Sequence, residues 1–222
     1  MKNYDEIISL GTQCNPGLSL RALNLKKETY PFDWVRSNSK IIYDVLLNGK
    51  NNYITFDKEK SNDYYTKHLH CIDLKDFPLT HINSYGQYFT HYTELDTIAL
   101  KNTFNKYLDR FFEVLNSNKK VLFIHTHEEY IYHKKSRDAM VEFYNYLCKI
   151  NDLLEEKYPK LRFEIINIDI NNNFENYKNI ININMEYNLP ISDNAETHVD
   201  KFYEPYRETI TKEINKYLYN KI

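Results

Sequence analysis

An α/β domain with a largely parallel sheet and helices on both faces, layered as in Rossmann and flavodoxin-like folds, is the architecture the sequence predicts. Three observations carry that prediction. Short continuous apolar runs at residues 7–10 and 121–124 read as strands buried on both faces. Between and after them lie stretches with apolar residues every three or four positions, the spacing of amphipathic helices. The order strand, helices, strand, helix, strand, strand, helix is that of parallel sheet units. No linker or internal repeat divides the 222 residues, so a single domain over 1–222 is expected, with an irregular insertion at about 51–93.

The first unit sets the pattern. Ile7-Ile8-Ser9-Leu10 is a strand, Gly11 ends it, and Thr12-Gln13-Cys14 turns toward a helix. Asn15 is placed to cap that helix, with Pro16 at the first helical position where its missing N–H is no loss. Leu18, Ala22 and Leu25 keep one face apolar. Tyr30-Pro31-Phe32-Asp33-Trp34-Val35 follows as an extended, aromatic loop. A second helix begins after Ser37 or Ser39, carries Ile41, Ile42, Val45 and Leu46, and stops at Asn48-Gly49. Residues 51–93 are irregular and rich in Tyr, His and Asp, and long loops of this kind in compact domains are often functional.

Helical spacing returns through Phe104, Leu108, Phe111 and Leu115. It gives way to the strand Val121-Leu122-Phe123-Ile124, which leads into His125-Thr126-His127. Ser136 can cap a long helix through Met140, Tyr144, Leu147, Ile150 and Leu154, ending before Pro159. Strands are expected at 161–168 and 179–185. A closing helix after Pro205 uses Tyr206, Ile210, Ile214 and Tyr217.

In such sheets ligands collect at the carboxyl ends of the strands, where Cys14 and His125 both fall. Cys14 directly precedes a helix N-terminus, whose unpaired N–H groups and dipole favour a thiolate, the form a cysteine nucleophile needs. The turn Asn15 to Gly17 would hold an anion through its N–H groups. A packing role for Cys14 explains the same position, since cysteine is often a small core residue.

A thiol nucleophile needs a base, and eight histidines compete for that part. His91 lies where the irregular stretch meets a long helix. His198 sits on a loop with Asp193, Glu196 and Asp200 around it. His125 and His127 alternate along one strand and so point to opposite faces. Asp33, between Phe32 and Trp34, needs a strong partner such as Arg21, Arg36 or a histidine, and could orient the base or simply cap the next helix.

Other chemistries find less support. A net charge of −2 gives no basic footprint for nucleic acid. The loop 11–17 lacks both the glycine pattern and the Lys-Ser/Thr pair of nucleotide-binding loops. His68, His70, Cys71 and Asp73 form a cluster without the second ligand pair that structural zinc takes, so no metal and no cofactor are assigned. Cys14, Cys71 and Cys148 are too few and too scattered for a disulfide framework. The start of the chain, residues 1–6, lacks an apolar signal core, and no stretch reaches the length of a membrane span. The expectation is a soluble cytoplasmic protein that meets neither nucleic acid nor membrane, with the oligomeric state left open.

Certain residues resemble something more specific. Ile8-Ser9-Leu10-Gly11 with Cys14 following, Leu20-Arg21, and then Pro31-Phe32-Asp33-Trp34 resemble the signature of a domain family of unknown function labelled "putative papain-like cysteine peptidase". Phe89-Thr90-His91 is similar to that family's aromatic-x-His segment, and Arg110-Phe111 with Val121-Leu122-Phe123 to the helix and strand that follow it. The resemblance implies that Cys14 is the nucleophile and His91 the base, with Asp33 the acid of the most distinctive stretch. Tyr92 stands where family members often carry an acid. A papain fold would follow its cysteine helix with a mainly antiparallel barrel, whereas the periodicity here predicts parallel α/β layering.

Two classes of function are therefore expected. The first is a cysteine-dependent hydrolase or peptidase-like enzyme using Cys14, a histidine (His91, then His198) and Asp33 on a peptide, acyl or glycan substrate, with Asn15, Gly17, Trp34 and His125 lining the site. The second is a non-catalytic binding module or a sugar- or nucleotide-handling transferase using the carboxyl end of the sheet.

Overall fold

Four parallel strands carry the structure, a computed structural model that describes residues 2–11, 14–35, 37–57, 81–87, 89–126, 137–170, 174–185 and 199–219. In chain order the elements are β1 (Glu6–Ser9), α1 (Asn15–Ala22), α2 (Ser39–Asn48), β2 (Phe56–Asp57), β3 (Ile82–Asn83), a 3-10 turn (Thr90–Tyr92), α3 (Thr97–Leu115), β4 (Lys120–Thr126), α4 (Arg137–Lys157), β5 (Arg162–Ile170), β6 (Ile180–Met185) and α5 (Val199–Tyr219). The sheet order is β1-β4-β5-β6, so strand order runs along the sheet without reversal. The α/β layering with helices on both faces agrees with the pattern of apolar runs. β2 and β3 form a separate antiparallel pair.

Strand alternation sorts the core into two halves. Val121, Phe123, Phe163 and Ile165 face one way and pack with Ile42 and Val45 of α2, Phe104, Leu108 and Phe111 of α3, and Leu147 and Ile150 of α4. Leu122, Ile124, Ile166 and Ile168 face the other way, against Leu20 of α1 and Tyr206, Ile210 and Ile214 of α5. Each such side chain, fully buried, contributes about 1.5–3 kcal/mol. This is why the strands read as unbroken apolar runs.

Helix ends follow local chemistry, with two departures from expectation. Asn38 caps α2 by accepting the Ile41 N–H at 3.0 Å, and Gly49 leaves that helix at φ 81°. Asp96 caps α3 by accepting the Ala99 N–H at 2.7 Å. α1, however, starts one residue early: Cys14 takes the cap position in a helical conformation (φ −73°, ψ −17°), and its carbonyl accepts the Leu18 N–H at 2.8 Å. Pro16 is then the second helical residue, where the missing N–H still costs nothing. α5 does not wait for Pro205 but contains it, with the residues before the proline already helical.

The described ends of the irregular stretch are well anchored. Tyr53 is fully buried among Phe32, Phe89 and Phe104, with edge-on or tilted rings 5.7–6.1 Å apart, and its hydroxyl donates to the Pro31 carbonyl at 2.9 Å. Gln87 Nε2 donates to Ser37 Oγ at 2.6 Å, and Asn83 Nδ2 donates to Gln87 Oε1 at 2.8 Å. These bonds fasten residues 81–87 to the loop that bears Asp33 and Trp34. Among the described residues no helix is long and apolar enough to cross a membrane.

Candidate functional site

The site grows from the carboxyl end of β1. Leu10 N–H donates to the Ile124 carbonyl at 2.8 Å and Thr126 N–H to the Gly11 carbonyl at 3.1 Å, so β1 and β4 stay paired to their last residues. Gly11, at φ 91°, turns the chain out of the sheet, a conformation that favours glycine. Three residues later Cys14 stands at the start of α1, half-buried, and its thiol makes no capping bond to the helix. In the first turn Pro16 has no N–H, leaving those of Asn15 and Gly17 at the helix end. Asn15 is 1% exposed, and its Nδ2 has no hydrogen-bond partner among the described residues. A buried amide in that state costs about 1–3 kcal/mol.

Asp33 lies directly against this turn. A Cβ added to Gly17 would fall 3.1 Å from the Asp33 carbonyl oxygen and 3.5 Å from Oδ1, so glycine is what lets the loop approach the helix. Asp33 is 1% exposed and its Oδ2 accepts two donors, the Tyr30 N–H at 2.7 Å and the ammonium of Lys26. Burial pushes its carboxyl up, and Lys26 and the Tyr30 N–H pull it back. Asp33 therefore finds its strong partner in Lys26, seven residues upstream, where the sequence alone points to Arg21, a histidine or Arg36, the last of which lies outside the described residues. The signal was present only as the general need of a buried carboxylate for a cation.

Trp34 links this pair to His91. The Lys26 ammonium lies 5.2 Å from the indole centroid, and the His91 ring lies 6.0 Å away, inclined at 65°. His91, on the 3-10 turn, is exposed on its remaining surface; partial burial lowers its pKa, and no charged group contributes to the shift. The imidazole makes no hydrogen bond to any described residue. Gly17, Asp33, Lys26, Trp34 and His91 are thus linked in series, with Cys14 and Asn15 at the head of the helix whose first turn holds Gly17.

His125 has a different setting. It faces the α2, α3 and α4 side, is 0% exposed, and its Nδ1–H donates to Asn167 Oδ1 at 2.9 Å. Asn167 Nδ2 donates to Asn182 Oδ1 at 2.9 Å, and Asn182 Nδ2 donates to the Tyr144 hydroxyl at 2.9 Å. His125, Asn167 and Asn182 are register partners on adjacent strands, so the row follows from sheet pairing. Burial lowers the His125 pKa to about 4, against a smaller upward pull from Asn167. This row went unread in the sequence, since the two asparagines are 15 residues apart and only strand register brings them together.

His198, and the cluster His68, His70, Cys71 and Asp73, lie outside the described residues. Among the described residues no group of three or more His, Cys, Asp or Glu side chains could hold a metal ion.

Comparison with known proteins bears on the whole assembly. The chain is 31% identical over 166 residues to "Uncharacterized protein R408" of Acanthamoeba polyphaga mimivirus, covering 68% of this chain and 73% of that protein. No solved structure matches the chain. The family described as "Putative papain-like cysteine peptidase (DUF1796)" matches residues 5–188, a span that holds Cys14, Asp33, Trp34, His91 and His125, and the chain belongs to that family.

Proposed function

We propose that the protein is a cysteine-dependent hydrolase of the peptidase type, acting in a reducing, cytoplasmic setting, with Cys14 as nucleophile and His91 as base. The observation that carries this reading is the series of contacts from Gly17 in the first turn of α1 through Asp33, Lys26 and Trp34 to His91. A histidine of lowered pKa whose nitrogens have no partner among the described residues is neutral near pH 7 and able to accept a proton.

The chemistry follows from these parts. His91 takes the thiol proton, and the Cys14 sulfur attacks the substrate carbonyl, forming a tetrahedral intermediate. The Asn15 and Gly17 N–H groups at the helix end are donors suited to its oxyanion. Collapse breaks the bond to the leaving group, which takes the proton from His91 and departs. Water then adds to the thioester and returns the thiol and an acid. Peptide or isopeptide bonds are the substrates this family description suggests.

The test compares the protein's own cysteines. Cys148 is half-buried in α4, where burial pushes its thiol up. Iodoacetamide, followed by peptide mass spectrometry, is expected to modify Cys14 well below about pH 8 and ahead of Cys148 and Cys71, because a helix N-terminus favours the thiolate. Equal, slow rates at all three would make Cys14 a packing residue and leave a binding module as the reading.

A further inference from the structure

We propose that Lys26 is a positioning residue of this site, its ammonium clamped between the Asp33 carboxylate and the Trp34 indole so that the indole holds His91 toward the Cys14 helix. The inference rests on the Cys14 and His91 reading and adds a residue to which neither motif nor family description points.

Lys26 has an unusual position for a lysine. Its side chain is 11% exposed and that of Asp33 1%, so both ions have given up most of their hydration. Breaking a buried pair is costly, yet replacing the whole pair with apolar groups is often neutral, so such a pair contributes geometry more than net stability. Here that geometry is well defined. Asp33 is held at its side chain by Lys26 and the Tyr30 N–H on Oδ2 and at its backbone by its own N–H on the Tyr30 carbonyl at 3.3 Å, with Gly17 close against its carbonyl. Trp34 is the next residue, so its indole inherits that placement. Lys26 also lies 5.2 Å from the ring centroid, where a cation is attracted to the indole face. Among the described residues the Trp34 indole is the one ring packed against His91, and no carboxylate or ammonium pairs with the imidazole directly. Lys26 and Asp33, behind the indole, are the charged groups nearest in this series of contacts.

The experiment uses the full chain with Lys26→Met, Lys26→Arg and Trp34→Leu. His91 is followed by NMR titration of its ring proton, and Cys14 by its alkylation profile against pH. In folded Lys26→Met the His91 midpoint is expected to rise toward that of a solvent-exposed histidine, with the Cys14 profile moving alongside. Lys26→Arg is expected to restore both. A folded Lys26→Met whose His91 midpoint equals wild type would overturn the proposal. Should Lys26→Met fail to fold, Trp34→Leu decides through the same midpoint: a rise supports the clamp, and an unchanged value refutes it. The NMR arm does not depend on catalysis, so a His91 that moves beside an inert Cys14 would sink the enzyme reading while leaving Lys26 its positioning role.

Discussion

His91 and His125 both have pKa values lowered by burial, yet their surroundings fit them for opposite work. His125 is sealed within the core, its Nδ1–H committed to Asn167 in a row that runs on to Asn182 and Tyr144. His91 packs against one indole and keeps exposed surface, with no hydrogen bond to a described residue. Loss of water lowers the pKa of both, but only His91 keeps a surface that a substrate can reach. Desolvation alone therefore does not mark a base; access and an uncommitted nitrogen must accompany it.

The largest effect that would sharpen this contrast is on turnover. His91→Ala is expected to lower Cys14-dependent hydrolysis of a peptide library by about 10²–10⁴-fold, the usual contribution of a general base. Its urea midpoint should barely change. Retained activity would remove His91 from the mechanism.

The next effect is on acid stability. A buried histidine with a folded pKa near 4 and an unfolded value near 6.5 takes up its proton more readily when unfolded. Stability is therefore complete above pH 6.5 and falls as the pH drops toward 4, by on the order of 3 kcal/mol at 1.36 kcal/mol per unit. Urea denaturation at pH 7, 5.5 and 4.5 on wild type and His125→Phe would show this, because the variant lacks the titrating group and should have a flatter dependence. Equal slopes would mean that His125 does not titrate on unfolding.

Breaking the row at its centre should have a smaller effect. Asn167→Ala leaves the His125 Nδ1–H and Asn182 Oδ1 without their partner, at about 1–3 kcal/mol by denaturant unfolding. Smallest is Gly17→Ala, whose methyl group would meet the Asp33 carbonyl at 3.1 Å. Better helix propensity offsets part of the overlap, for a net loss of about 1 kcal/mol. Because Trp34 is the only tryptophan, its emission spectrum should shift as the loop is displaced. An unchanged spectrum would show that α1 and the Asp33 loop move independently.

How far these sites could be read before folding differs in the same way. Cys14, Asp33, Trp34 and His91 were all legible, because each stands in a compact run of distinctive residues: a glycine turn before a Pro-bearing helix, an aromatic-proline loop, and a histidine ahead of a long helix. Their contacts were not legible. Lys26 has no local mark that separates it from Lys27, and only the close approach of the loop to Gly17 turns it inward against Asp33. The same applies to Asn167 and Asn182, which look like polar interruptions of apolar strands until register aligns them with His125.

By itself the sequence determined the layered α/β class, the main strands and helices, and the cysteine at the head of the first helix. These follow from periodicity and from capping chemistry, which act over a few residues. The strand order, the Lys26 partner of Asp33, the indole on His91 and the buried polar row were decided by tertiary structure. Each depends on groups far apart in the chain that meet only when the two halves of the core close on the sheet, and no local rule encodes those meetings.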